Sequence, residues 1–175
     1  SISRIDEQKL PSNLEAEQAL IGSVLVNNDI IDEVAHLINS SKFFDPFHKR
    51  IYETIENLNN KGMIANPITL KNFFETNSSL DEVVGVDYLV KLTRFSSSVR
   101  QALDYAKIVH EMYIKRELIE ISENVTQDST NKNSEKTGEN IIEEAEQSLF
   151  KLAERGTLSQ SYIKFDKALD QTIEM

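Results

Sequence analysis

The residues best placed to do chemistry are three histidines, one of which, His36, follows Glu33 at the spacing Glu-x-x-His. On a helix that spacing puts a carboxylate and an imidazole on one face. A carboxylate-bridged di-metal site uses this arrangement, but it needs a second copy of the motif and two further glutamates. Asp45 stands three residues before His48 and Lys107 three before His110, so the second copy is missing. A histidine at a helix edge is the expectation for His36. His48, beside Pro46 and Tyr52, is a candidate acid–base group. Nothing near it in sequence supplies a nucleophile or an orienting carboxylate, so a packing role at a helix edge is expected there too. Neither Gly-x-x-x-x-Gly-Lys-Ser/Thr nor Gly-x-Gly-x-x-Gly occurs, and the five glycines stand singly. Without a loop to cradle phosphates, nucleotide chemistry is not expected in this chain, nor is any bound cofactor or metal. The acidic run ENIIEEAEQ, Glu139 to Gln147, is expected to be a solvated helix face, with a surface for a basic partner as the less common use.

Composition narrows the classes further. With 19 Lys and Arg against 29 Asp and Glu, the 175 residues carry a formal net charge of -10. Affinity for nucleic acid comes largely from cationic side chains that displace counterions, so direct DNA binding is disfavoured. The absence of cysteine excludes disulfides and thiolate metal sites. No signal peptide or bilayer-length apolar run is evident, and a cytoplasmic protein is the default expectation. Hydrophobic residues make up 39% of the chain, on the low side for a single compact ball. Part of the chain is therefore expected to be elongated, with apolar stripes meant for a partner. Ser at position 1 suggests a processed or cut chain.

The elements that would position these groups are helical throughout. In SNLEAEQALIGSVLVNND, Ser12 and Glu15 form a capping-box pair, and Glu15 and Glu17 suit the positive end of a helix dipole. The helix should run from about Asn13 to Val26. Leu14, Leu20, Ile21, Val24 and Leu25 cover one arc, and Ala16, Ala19, Gly22 and Ser23 form a smooth neighbouring one. A second helix is expected from Asp29 to about Ile38, with Ile30, Ile31, Val34 and Ile38 inward. A third starts at the Asp45 N-cap and Pro46, carries the stripe Phe47, Ile51, Ile55 and Leu58, and stops at Gly62. Pro67 to Phe95 should form short helices around Leu70, Phe73 and Phe74 and around Tyr88, Leu89 and Leu92. A strand hairpin near Val83 to Val86 is the weaker alternative.

From Ser98, another capping residue paired with Gln101, no Gly or Pro interrupts the chain until Gly138. About thirty helical residues at ~1.5 Å each make a rod of roughly 45 Å. Val99, Ala102, Ala106 and Val109 should face the head, and Ile114, Leu118, Ile121 and Val125 continue the stripe beyond it. The polar run Asp128 to Thr137 is expected to be a loop. A last long helix then carries Ile142, Ala145, Leu149 and Leu152 until Gly156, completing a helical hairpin. Two helices cannot enclose these stripes, and Ile119, Ile141 and Phe150 widen the apolar face. A second copy's hairpin would close it as a four-helix bundle about a two-fold axis. Folding of the hairpin back on its own head is the nearly equal alternative. After a linker, Phe165, Ala168, Leu169 and Ile173 form one more stripe, ending at Met175 without a stop signal, as in a chain cut before its next domain.

Six segments in this order and spacing resemble the N-terminal domain of the DnaB-family replicative DNA helicases of bacteria. They are PSNLEAEQALIGSVL, FFDPFHKRIYETIENLNNKG, ITLKNFF, VGVDYLVKL, YAKIVHEMYIKREL and AEQSLFKLAERG. Val86 stands where the family usually has a second glycine, and Asn66 with Pro67 replaces its usual acidic residue, so local turn geometry is where departures are expected. The resemblance implies an all-α fold: an N-terminal tail (1–11), a small globular helical head (12–97), a long protruding hairpin for dimerisation (98–156), then the linker and start of a linker helix (157–175). It implies a collar built as a trimer of dimers, with the linker stripe docking on the ATPase domain of an adjacent subunit. The parent would be a hexameric helicase that unwinds the replication fork 5' to 3' using ATP and Mg, its phosphate loop lying in a C-terminal domain absent here. Primase, and in some species a loader or initiator, would dock on the collar, while single-stranded DNA would be held by the missing domain. The competing classes are a stand-alone helical interaction adaptor and a helical metalloenzyme using Glu33 and His36.

Overall fold

Helix α1, Leu14–Val26, is apolar nearly all the way round, and a helix of that kind has to be enclosed. In the computed structural model, which describes residues 9–77 and 85–154, α1 packs against α2 (Ile30–Val34), α3 (Pro46–Asn60) and α5 (Val86–Thr93). Leu20, Ile21 and Val24 are fully buried. The small-residue face lies against α5: a Cβ at Gly22 would overlap the Leu92 carbonyl oxygen. Ser23 Oγ donates to the Ala19 carbonyl (2.7 Å) and accepts from the Ser97 N–H (3.0 Å). Leu14, expected inside, is exposed at the first helical position, the enclosed part of the helix beginning at Ala16. The N-cap is Asn13 rather than Ser12: its Oδ1 accepts from the Ala16 N–H at 2.9 Å.

The described residues fall into two compact units, one spanning Pro11–Tyr113 and the other holding Lys9, Leu10 and those from Ile114 onward. In the first, α2 is shorter than expected, its last turn opening after Val34, yet Ile30, Ile31, Val34 and Ile38 are all buried. The Asn28 side-chain amide then acts as a backbone substitute. It donates to the Ala65 carbonyl and accepts from the Ala65 N–H, both at 2.8 Å, tying the end of α1 to the loop before α4.

Helix α3 begins and ends as its sequence implies. Asp45 Oδ1 accepts from the N–H groups of Phe47 (2.7 Å) and His48 (3.3 Å), with Pro46 next in line. At the far end Met63 N–H bonds to the Leu58 carbonyl and Gly62 N–H to that of Asn59. This is the Schellman pattern, with Gly62 at φ +71°, a conformation that favours glycine. Helix α4, Pro67–Asn77, is capped by Asn66, whose Oδ1 accepts from Ile68 and Thr69 N–H while Thr69 Oγ1 accepts from Asn66 N–H. Asn66 thus does the capping that an acidic residue would do. Val86 opens α5 as its first helical residue, with Gly85 as the N-cap, so the expected alternative of strands has no place at Val86; positions 83 and 84 lie outside the described residues.

Tyr52, on α3, is 1% exposed, its ring 4.9 Å from that of Phe43. Burial, with Glu56 nearby as the lesser cause, pushes its phenol above the ordinary tyrosine range. Among the described residues its hydroxyl has no hydrogen-bond partner. An unsatisfied buried hydroxyl costs free energy, so Tyr52→Phe is expected to raise unfolding stability in urea by about 1 kcal/mol. A loss of similar size would mean that the hydroxyl is bonded after all.

Helix α6, Val99–Thr130, runs unbroken for 32 residues from Ser98, whose Oγ accepts from Gln101 N–H at 3.2 Å. Ala102, Ala106 and Val109 belong to the core of the first unit, while Val99, also expected to face it, is exposed because it sits at the first position of the helix, before the packed turns begin. Helix α7 covers residues 138–154. It starts with a reciprocal pair: Asn140 N–H to Thr137 Oγ1 (3.1 Å) and Thr137 N–H to Asn140 Oδ1 (3.2 Å). The fold is all-α, with no strand among the described residues, and no helix among them is long and apolar enough to cross a membrane.

Candidate functional site

The histidine motifs resolve first. Glu33 is exposed and His36 half-buried at the end of α2, and among the described residues no three His, Asp or Glu side chains gather as a metal set. His48 differs from its expectation. It is buried, and the carboxylate missing from its sequence neighbourhood comes from α1: Glu17 Oε1 lies 2.9 Å from His48 Nδ1, and His48 Nε2 lies 2.7 Å from the Tyr88 hydroxyl on α5. Glu17 also accepts from the N–H groups of Phe44 (2.8 Å, Oε2) and Asp45 (3.3 Å, Oε1). Glu17, expected at the helix dipole, therefore works as an internal acceptor, 1% exposed.

A carboxylate, an imidazole and a hydroxyl in line have the order of groups in a nucleophile-activating triad. Here the hydroxyl is a phenol whose half-buried setting, chiefly by desolvation, raises its pKa, the opposite of the activation a nucleophile needs. The arrangement satisfies buried donors on three elements at once: the turn before α3, α3 itself and α5. It is a fastening between α1, α3 and α5. The available sequence signal was that Glu17, unlike its exposed neighbour Glu15, lies within the apolar part of the helix, and a buried carboxylate is rare unless it is paired.

The hairpin stripe lies in the second unit, where α6 and α7 run antiparallel. Their shared groove is lined by Ile121, Val125 and Asp128 from α6 and by Ile141, Glu144 and Ala145 from α7. Lys136, in the loop, reaches Asp128 Oδ2 at 3.2 Å and Glu144 Oε2 at 3.0 Å, joining the two helices at their turn. Ile114, Ile121, Val125, Ala145 and Leu152 are half-buried, whereas Leu118, Ile142 and Leu149 are exposed. Phe150 is 67% exposed, a large aromatic surface to leave in water. Of the acidic run, Glu139, Glu143, Glu144 and Glu146 are all exposed. Phe165, Ala168, Leu169 and Ile173 lie outside the described residues.

Comparison with known proteins follows the same lines. Residues 9–111 match the family described as DnaB-like helicase N terminal domain. Over 164 residues the chain is 39% identical to the replicative DNA helicase DnaB of Rickettsia bellii, covering 94% of this chain and 33% of that protein. The corresponding protein of Pasteurella multocida is 32% identical over 150 residues, covering 85% of this chain and 32% of its own length. The chain thus spans about a third of the length of these curated relatives. Its fold is similar to the crystal structure of the N-terminal domain of DnaB helicase from Mycobacterium tuberculosis, with a TM-score of 0.71 and 26% identity over 82% of this chain and 99% of that one. It is also similar to a DnaB-like replicative helicase described with its interactions with primase, with a TM-score of 0.63 and 24% identity over 88% of this chain and 35% of that one.

Proposed function

We propose, because this chain belongs to the DnaB-like helicase N-terminal domain family, that it is the collar of a hexameric replicative helicase and acts by assembly and recruitment. The observation that carries this reading is the apolar stripe of α6 and α7, with Leu118, Ile142, Leu149 and Phe150 exposed and spaced to meet a second hairpin. Two such hairpins form a four-helix bundle about a two-fold axis, and three dimers complete a ring. Ile114, Leu118, Ile121 and Val125 on α6, with Ile142, Ala145, Leu149 and Leu152 on α7, make the joint. Phe165, Ala168, Leu169 and Ile173 begin the linker helix that docks on a neighbouring subunit's motor.

In this reading the ATP- and Mg-dependent, 5' to 3' unwinding belongs to a domain beyond this chain, which itself holds no catalytic site, cofactor or metal and does not bind single-stranded DNA directly. The collar receives primase, and a loader or initiator in some species, at the replication fork in the bacterial cytoplasm. A helicase of similar fold is described in its interactions with primase, which supports primase as the partner of this collar. A stand-alone adaptor gains no specific support from the α6–α7 geometry.

Light scattering coupled to size exclusion tests the joint. The chain is expected to be a dimer or larger and Leu118→Asp a monomer with unchanged helical content, since Leu118 is exposed within the single chain. Burying an unpaired carboxylate in an apolar joint costs several kcal/mol, enough to shift association by a factor of about a hundred or more. A monomer for both proteins would overturn the joint and return the hairpin to its fold-back alternative.

A further inference from the structure

Lys42, the last residue of the 3-10 turn Ser40–Lys42, is 8% exposed, although lysine is rarely buried. Its ammonium lies 3.1 Å from Nδ1 of His110 on α6 and 4.9 Å from the centre of the Tyr113 ring. An ammonium can only donate. His110 Nδ1 must therefore be the bare, accepting nitrogen, which places the ring proton on Nε2. The Leu37 carbonyl, in the segment after α2, also acts on the ring and favours its protonated form. The neutral imidazole thus ties the 3-10 turn to α6 through Lys42, with the segment after α2 beside it.

We propose that the Lys42–His110 contact is a pH-operated latch that holds the Asn39–Lys42 turn on α6 while the imidazole is neutral and releases it when Nδ1 takes a proton. The chemistry is one of exclusion. A protonated Nδ1 has no lone pair for the lysine, and imidazolium and ammonium would then stand as like charges at hydrogen-bond distance. The groups facing the ring are Lys42 from the turn, His36 and the Leu37 carbonyl from the segment after α2, and Glu111 from α6. Burial and then Lys42 hold His110 below the ordinary histidine range, with His36 adding slightly, against the opposing pull of Glu111 and the Leu37 carbonyl.

The direction with pH follows from proton counting. With its pKa lowered in the closed state, His110 binds fewer protons closed than open, so the latch gains strength as pH rises and is fully closed above the open-state value of about 6.5. Closure weakens as pH falls from there towards the lowered value. Each unit of separation between closed and open values changes the opening constant about tenfold.

Amide hydrogen exchange on the whole chain reads the latch at Lys42 and Phe43, whose N–H groups bond to the Asn39 and Ser40 carbonyls. After correction for intrinsic exchange, protection there is expected to drop about tenfold between about pH 7.5 and about pH 5. His110→Gln, which keeps one neutral acceptor and one donor, should make protection at these amides independent of pH. Flat protection in the native chain, or an equal drop in the variant, would overturn the latch. Lys42→Met supplies a second reading that does not depend on the first variant. The His110 titration, followed by its imidazole resonances, should move to higher pH once the neighbouring cation is gone, and an unmoved midpoint would also overturn the proposal.

Discussion

Glu17→Ala is expected to lower unfolding stability by about 3–5 kcal/mol, because it removes at once the acceptor of three buried donors, each of which costs about 1–3 kcal/mol when left unsatisfied. The loss does not come from α1 itself, where alanine is the better helix former. It comes from what Glu17 leaves behind: the N–H groups of Phe44 and Asp45 and the His48 ring, none of which keeps this acceptor. Glu17→Gln tests that account. It retains one carbonyl oxygen but points an NH2 group at a donor, so its cost should be smaller, about 1–3 kcal/mol. Urea unfolding followed by circular dichroism measures both. Equal losses in the two variants would mean that acceptance of these bonds is not what makes Glu17 important.

Gly22→Ala should cost about 3 kcal/mol and lower the thermal midpoint by roughly 10 °C. Two effects oppose each other. Replacing glycine within a helix gains up to about 1 kcal/mol in propensity. The new Cβ, however, would overlap the Leu92 carbonyl oxygen and stand 2.9 Å from its carbon. Those atoms are backbone, so no rotamer change relieves the overlap. Helix α5 would have to retreat from α1, carrying Leu89 and Leu92, both fully buried, out of their seats. An unchanged or raised midpoint would show that the two helices do not approach this closely.

How much of this was legible in the sequence differed from helix to helix. For α3 the N-cap, the proline, the buried stripe and the glycine stop all lie within one short stretch and agree, and the helix spans Pro46–Asn60 as they imply. Start signals are less certain where two capping residues are adjacent. Ser12 and Asn13 both qualify, and Asn13 is the one whose oxygen meets an orphan N–H. The fastening around His48 was hidden for a stronger reason. Helical periodicity shows which residues share a face, but not that an acceptor on α1 will meet donors 27 to 31 positions later. The hairpin stripe was visible because its spacing is regular. Spacing does not identify what covers such a stripe, and the Lys42–His110 contact, 68 positions apart, left no local pattern.

The Ser23–Ser97 hydrogen bond spans 74 positions, and the core around α1 is completed by Ala102, Ala106 and Val109. Translation delivers these partners last. A chain emerging from the ribosome presents an apolar helix long before it can present the residues that enclose it. At synthesis rates of roughly 5–20 residues per second, α1 waits several seconds for its final neighbours. During that interval the helix that later forms the centre of the head is a surface on which a chaperone could act.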